Sequence, residues 1–212
     1  RSPVLTAFYA PLLEKTLADV KEPALFCISV PFPGTLAAAL FTAQYIKLRC
    51  SADAVVALGG GYVNTELRNV HETRLFRYVD FISYDRGYGS FLALLDAAGD
   101  KTVKDALDGR VFYKVRYMYG GKISNPSGMD ADTFYCGEHA DQSSDNHDSE
   151  ILKYVHAENE LTKELVPDYS DIDFSRYPHL ADTANPMQRI WNDGAWMKVY
   201  LAYGCYWHRC AF

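Results

Sequence analysis

Three short apolar runs, each closed by small or turn-forming residues, limit what this chain can fold into. Leu25-Phe26-Cys27-Ile28-Ser29-Val30 leads into Pro31-Phe32-Pro33-Gly34, and Ala54-Val55-Val56-Ala57-Leu58 leads into Gly59-Gly60-Gly61. Tyr78 to Tyr84 leads into Asp85-Arg86-Gly87-Tyr88-Gly89. A continuous apolar run of this length is the form of a strand covered on both faces. Helical spacing fills the gaps: Leu5, Phe8, Leu12, Leu13 and Leu17 within residues 4–19, then Leu36, Leu40, Ala43 and Ile46 or Lys47 within residues 35–49, then residues 91–98. Strands alternating with helices at this spacing predict βαβ units. The expected fold is α/β, a Rossmann-like open parallel sheet with flanking helices.

The pattern changes after Lys101. Val111 to Tyr119 alternates like a strand, Gly120-Gly121 can turn tightly, and Lys122-Ile123-Ser124 can return as a second short strand. Asn125 to Asp148 contains no Lys or Arg and no periodicity, so a polar, mobile loop is expected there. Glu150 to Leu165 has helical spacing, Pro167-Asp168-Tyr169-Ser170-Asp171 breaks it, and Trp196 to Ala202 reads as a last strand running into Gly204-Cys205. The expected organisation is an α/β domain over 1–125, a polar loop over 126–149, a helix and linker over 150–195, and the start of a further domain over 196–212.

Composition excludes some functions. With 21 Lys and Arg against 27 Asp and Glu, the net charge is −6, which does not favour a nucleic-acid partner. No stretch approaches the roughly 20 apolar residues of a membrane span. Five cysteines in a chain that opens Arg-Ser-Pro-Val-Leu, with no charged-then-apolar leader, argue against a disulfide framework and for a reducing cytoplasm. Cys27 and Cys50 read as structural, the first within a buried strand. His71, His156 and His179 read as surface residues.

Ligands of an open parallel sheet bind where its strands end at their carboxyl edges. Ser29-Val30-Pro31, Gly59-Gly60-Gly61 and Asp85 to Gly89 are those ends, and glycine there lets a bulky ligand approach the backbone. Ordinary loop residues ending strands would look the same one loop at a time; three such loops at one edge favour a site.

The segments 28–34, 55–64 and 78–89 resemble the cobalamin-binding domain found ahead of radical S-adenosylmethionine (radical SAM) barrels. The resemblance implies that Ser29, Gly59 and Gly60 line the slot for the cofactor's nucleotide tail. The chain departs from it in two places. Asp85-Arg86-Gly87-Tyr88-Gly89 stands where the family has a Gly-Glu-Gly-Glu turn. The Asp-x-His-x-x-Gly segment that supplies a cobalt ligand in other cobalamin domains is missing, and Asp145-Asn146-His147 lacks its glycine.

Gly204-Cys205-Tyr206-Trp207-His208-Arg209-Cys210-Ala211-Phe212 is the most specific stretch. Thiolates are soft donors suited to iron–sulfur clusters. The stretch resembles the radical SAM motif Cys-x-x-x-Cys-x-x-Cys, with four residues in its first gap and the third Cys expected just past Phe212. The resemblance implies Cys205 and Cys210 as ligands of a 4Fe–4S cluster, Phe212 beside the adenine of S-adenosylmethionine, an electron donor as partner, and a small-molecule or peptide substrate. It also implies that residues 1–212 are the N-terminal part of the enzyme, inactive alone. Zinc held by Cys136, His139, Cys205 and Cys210 is an alternative ligand set. A corrinoid or small-ligand binding module without radical chemistry, and a docking domain that has lost its cofactor, are alternative functions.

Overall fold

A computed structural model describes residues 2–20, 25–51, 53–98, 112–124, 147–166, 168–176 and 187. The described chain falls into two compact units, divided between residues 164 and 165. The first holds a five-stranded sheet in the order β1 (Leu25–Ser29), β2 (Val55–Gly59), β3 (Phe81–Ser83), β4 (Val115–Tyr119), β5 (Lys122–Ile123). β1, β2 and β3 are mutually parallel, as the βαβ spacing predicts; β4 runs antiparallel to β3, and β5 to β4. The sheet is therefore mixed rather than wholly parallel. Strand direction is not written in the apolar pattern, since a strand buried on both faces reads alike in either direction.

The helices are α1 (Ala10–Thr16), α2 (Leu36–Tyr45), α3 (Gly61–Asn64), α4 (Tyr88–Ala98) and α5 (His147–Glu164). Alternation along the strands sorts the core into two layers. Val56, Leu58, Ile82 and Tyr84 face one side, against Ala39, Ala43 and Ile46 of α2 and its following turn, Val63 of α3, and Leu75 and Phe76. Val55, Ala57, Phe81, Val115 and Tyr117 face the other, against Ala93, Leu94 and Ala97 of α4 and Tyr154 of α5. Phe81, Phe112 and Tyr117 form a ring cluster there, with centroids 5.5–6.1 Å apart, each pair contributing about 1 kcal/mol beyond its burial.

The β4–β5 hairpin turns at Gly120-Gly121, as the sequence predicts, with φ of 57° and 78°, the left-handed pair that a type I′ turn requires. Asp80 secures the start of β2: its carboxylate accepts from Val56 N at 2.9 Å and from Lys47 Nζ at 2.8 Å.

One expectation is corrected. β1 is not covered on both faces, and Cys27 is not buried: among the described strands β1 is at the sheet edge, and Cys27 and Ser29 are exposed. The physical reason is the reach of the α4 layer: Ala93, Leu94 and Ala97 pack over β2 and β3 and cover β1 at Leu25, leaving Cys27 and Ser29 on that face exposed. His71 and His156 are exposed, as expected.

In the second unit the helix has ended, as the Pro167 break predicts. Asp168 and Asp173 each accept from a backbone N–H two residues on, Ser170 at 2.9 Å and Ser175 at 3.1 Å, and a single turn spans Phe174–Arg176. Such side-chain turns compete with helix. The polar loop expected over 126–149 is shorter at its end, because α5 already begins at His147; the rest of that loop, His179, and the strand expected at 196–202 as the first of a barrel lie outside the described residues.

Candidate functional site

The carboxyl ends of β1, β2 and β3 surround a pocket of about 380 Å³, near the low end of the roughly 300–1,000 Å³ usual for small-molecule sites. Its floor is apolar, with Cys27, Ala57 and Leu94, and Ser29, Ser83 and Asp85 contribute polar groups. The three residues singled out in the sequence, Ser29, Gly59 and Gly60, all line it.

They contribute differently. Ser29 lies opposite Gly59 in the parallel register, on the sheet face shared by Cys27 and Ala57. A Cβ at Gly59 would meet no atom closer than Ser83 O at 3.5 Å, so the missing side chain there is open pocket floor. Gly60 is different: its φ is 102°, and a Cβ would fall 2.8 Å from Ser29 Oγ and 2.8 Å from Val30 N. Gly60 permits the β1 and β2 ends to close on each other, where Val30 N donates to Gly59 O at 2.7 Å and Tyr62 N to Val30 O at 3.0 Å. Gly60 thereby shapes the rim by backbone geometry.

The third strand end is built around Asp85, which holds a left-handed φ of 59°. Asn64 of α3 clamps it from both sides, accepting from Asp85 N at 2.6 Å and donating to Asp85 O at 3.0 Å. The carboxylate receives Arg68 at 2.8 Å and Lys114 at 3.1 Å. Burial pushes the Asp85 pKa up, but the Arg68 hydrogen bond and the Lys114 charge outweigh it, so the acid is held below its ordinary value. Lys114, itself at φ 53°, is 1 % exposed and reaches Glu158 of α5 at 3.2 Å. Glu158 also accepts from Gly89 N at 3.0 Å, in the first turn of α4. Arg86 on the pocket wall donates to Thr162 of α5 at 2.9 Å.

Beside this network, Ser83 and Ser90 hydroxyls lie 2.5 Å apart, and Ser90 donates to Gly87 O at 3.0 Å. Ser90 has one proton, so while it donates to Gly87 O it accepts from Ser83. Cys27 is exposed at the pocket, and partial burial of its thiol raises its pKa. That thiol is protonated near neutrality and is no activated nucleophile.

Arg68, Lys114, Glu158 and the Ser83–Ser90 pair do not stand out in the strand-end pattern. Two had a local signal. Lys114 interrupts the apolar run Val111-Phe112-Tyr113, and Glu158 shares a helical face with Ile151, Tyr154 and Val155. A charge on an apolar face calls for a buried partner.

Cys205, Cys210 and Phe212, like Cys136 and His139 of the alternative zinc set, lie outside the described residues. Among the described residues no three His, Cys, Asp or Glu side chains cluster as a metal site would require, and no helix is long and apolar enough to cross a membrane. Comparison with protein families, curated proteins and solved structures finds no match to this chain.

Proposed function

We propose that the first unit is the cofactor-binding part of a radical SAM enzyme, taking the nucleotide tail of a corrinoid at the carboxyl ends of β1, β2 and β3. The observation that carries this reading is the convergence of Ser29, Gly59 and Gly60 on one pocket, the positions that the cobalamin-domain resemblance assigns to the tail. The donor set suits that group in size and polarity. A volume of about 380 Å³ admits a flat base and its sugar but no corrin ring, which would rest outside. No histidine lines the pocket among the described residues, so the reading gives cobalt no imidazole from this wall. A corrinoid would supply methyl-transfer chemistry, and Cys205 and Cys210 would hold an iron–sulfur cluster supplying one-electron reduction. The chain's own groups bind and orient: Ser29 and Ser83 offer hydroxyls to the base edge, and Gly59 leaves the floor open.

Two experiments test the two halves. Incubation with hydroxocobalamin followed by gel filtration is expected to give a coloured protein fraction. For the cluster, a chain extended beyond Phe212 is reconstituted anaerobically with iron and sulfide. It is expected to show cluster absorption that C205A and C210A abolish; a colourless extended chain, or one without a cysteine within two or three positions after Phe212, contradicts the radical SAM half.

A second reading has its own support. Every described pocket residue belongs to the first unit, so the pocket needs nothing from the terminal cysteines. A small-ligand binding module without radical chemistry would keep the pocket and hold no cluster.

A further inference from the structure

A second cavity, of about 410 Å³, lies between the loop after β1 and the residues that form and follow α3; Pro31, Phe32, Pro33, Tyr62, Thr65 and Glu66 line it. It shares no lining residue with the pocket at the strand ends. Phe32 is set on a rigid loop. A proline on each side restricts the backbone, and Thr35 holds the Phe32 carbonyl through its N–H at 3.1 Å and its hydroxyl at 2.7 Å. Phe32 nevertheless stays 69 % exposed. The hydrogen-bonding character of the cavity is one-sided. Pro31 and Pro33 have no N–H. The N–H groups of Tyr62, Thr65 and Glu66 donate to Val30 O at 3.0 Å, Gly61 O at 3.1 Å and Tyr62 O at 3.1 Å. The Thr65 hydroxyl donates to Gly61 O at 3.1 Å. A ligand therefore meets mainly acceptors, the Thr65 oxygen and the Glu66 carboxylate, together with two aromatic rings. Among the described residues Glu66 joins no ion pair, and no Lys, Arg or His lines the cavity.

We propose that this cavity docks an arginine side chain presented by a partner protein, its guanidinium against Phe32 and Tyr62 and donating to Glu66. The guanidinium is the side-chain group whose chemistry complements the lining on every count. It carries five N–H donors and no acceptor, is always charged, and has a flat face that stacks on aromatic rings. An anion would meet the Glu66 carboxylate and few donors, and a lysine ammonium has no flat face to lay on Phe32. The net charge of −6 favours the approach of a cationic partner. The occupant is a side chain on a larger partner because Phe32, Thr65 and Glu66 are exposed. So open a surface covers little of a small molecule, whose sites bury most of it, whereas a partner chain covers the exposed Phe32 around the contact.

The test titrates the full 212-residue chain, isotope-labelled, with the peptide acetyl-Gly-Arg-Gly-amide and follows amide chemical shifts. The peptide is expected to shift the amides of Phe32, Tyr62, Thr65 and Glu66. The same peptide with citrulline in place of arginine keeps the shape and loses the charge, and is expected to bind at least about fivefold more weakly, the scale of an exposed ion pair together with a cation–π contact. Glu66→Gln and Phe32→Leu, both at exposed positions, are each expected to weaken the arginine peptide about two- to fivefold with the melting temperature unchanged. Absence of shifts at these four amides overturns the proposal, as does equal binding of the arginine and citrulline peptides. Methylguanidinium binding as tightly as the peptide would make the occupant a free small cation and overturns the docking of a partner. None of these outcomes bears on the pocket at the strand ends.

Discussion

Lys114 Nζ lies 3.2 Å from Glu158 Oε1, and both side chains are all but sealed from solvent, at 1 % and 3 % exposure. The same ammonium reaches Asp85 at 3.1 Å. One buried cation thus joins the strand end that forms the pocket wall to the helix that caps α4. Removing one partner of such a pair strands a buried charge, a loss of about 3–5 kcal/mol. Lys114→Met is therefore expected to lower stability by that order in chemical denaturation. A cycle with Glu158→Met is expected to show coupling, the double variant losing less than the sum of the singles; strict additivity would mean that the pair does not interact.

Acid stability should depend on Asp85. Its folded pKa is lowered, so the folded state binds its proton less readily than the unfolded chain. The stabilisation is fully present above the unfolded value of about 3.9 and is lost as pH falls through the lower folded value. Denaturation midpoints followed downward from neutral pH are expected to fall in this acid range, and Asp85→Asn to show a shallower fall there. Equal acid slopes in the two proteins would remove Asp85 from the account.

Adjacent glycines should respond differently. Gly60→Ala forces a left-handed backbone on a residue with a Cβ and drives that Cβ to within 2.8 Å of Ser29 Oγ and Val30 N, so a loss of about 1–3 kcal/mol is expected. Gly59→Ala meets nothing nearer than 3.5 Å and is expected to stay within about 0.5–1 kcal/mol of wild type, since its strand position loses only glycine's flexibility. Thermal melts of the two variants check the contrast.

The three parallel strands, their connecting helices and the Gly120-Gly121 hairpin were legible because each depends on local periodicity or a local turn. What was not legible depends on partners far apart in sequence. That β1 is an edge follows from the strand order, and that Cys27 is exposed follows from how far the α4 layer reaches across the sheet. That β4 runs antiparallel to β3 is a long-range pairing, with Phe81 opposite Tyr117. The pocket was legible at Ser29, Gly59 and Gly60 because strand ends carry a compositional mark. Lys114 and Glu158, 44 residues apart, each looked like a lone charge on an apolar face, and only the tertiary fold makes them a pair.

The core beneath the pocket should be intolerant of truncation. Phe81 is fully buried in the ring cluster with Phe112 and Tyr117, and Phe81→Ala is expected to cost about 3–5 kcal/mol. Urea unfolding followed by circular dichroism gives the value; a loss under about 1 kcal/mol would show the cluster to be loosely packed.

The most direct measurement of the central claim is corrinoid binding to wild type and to Gly59→Val, whose side chain would occupy the open pocket floor. After incubation with hydroxocobalamin and gel filtration, wild type is expected to elute with the visible spectrum of the bound cofactor. Gly59→Val, eluting at the same volume with the same circular dichroism, is expected to be colourless. A colourless wild-type fraction, or equal colour in both, would contradict a corrinoid held at the carboxyl ends of β1, β2 and β3.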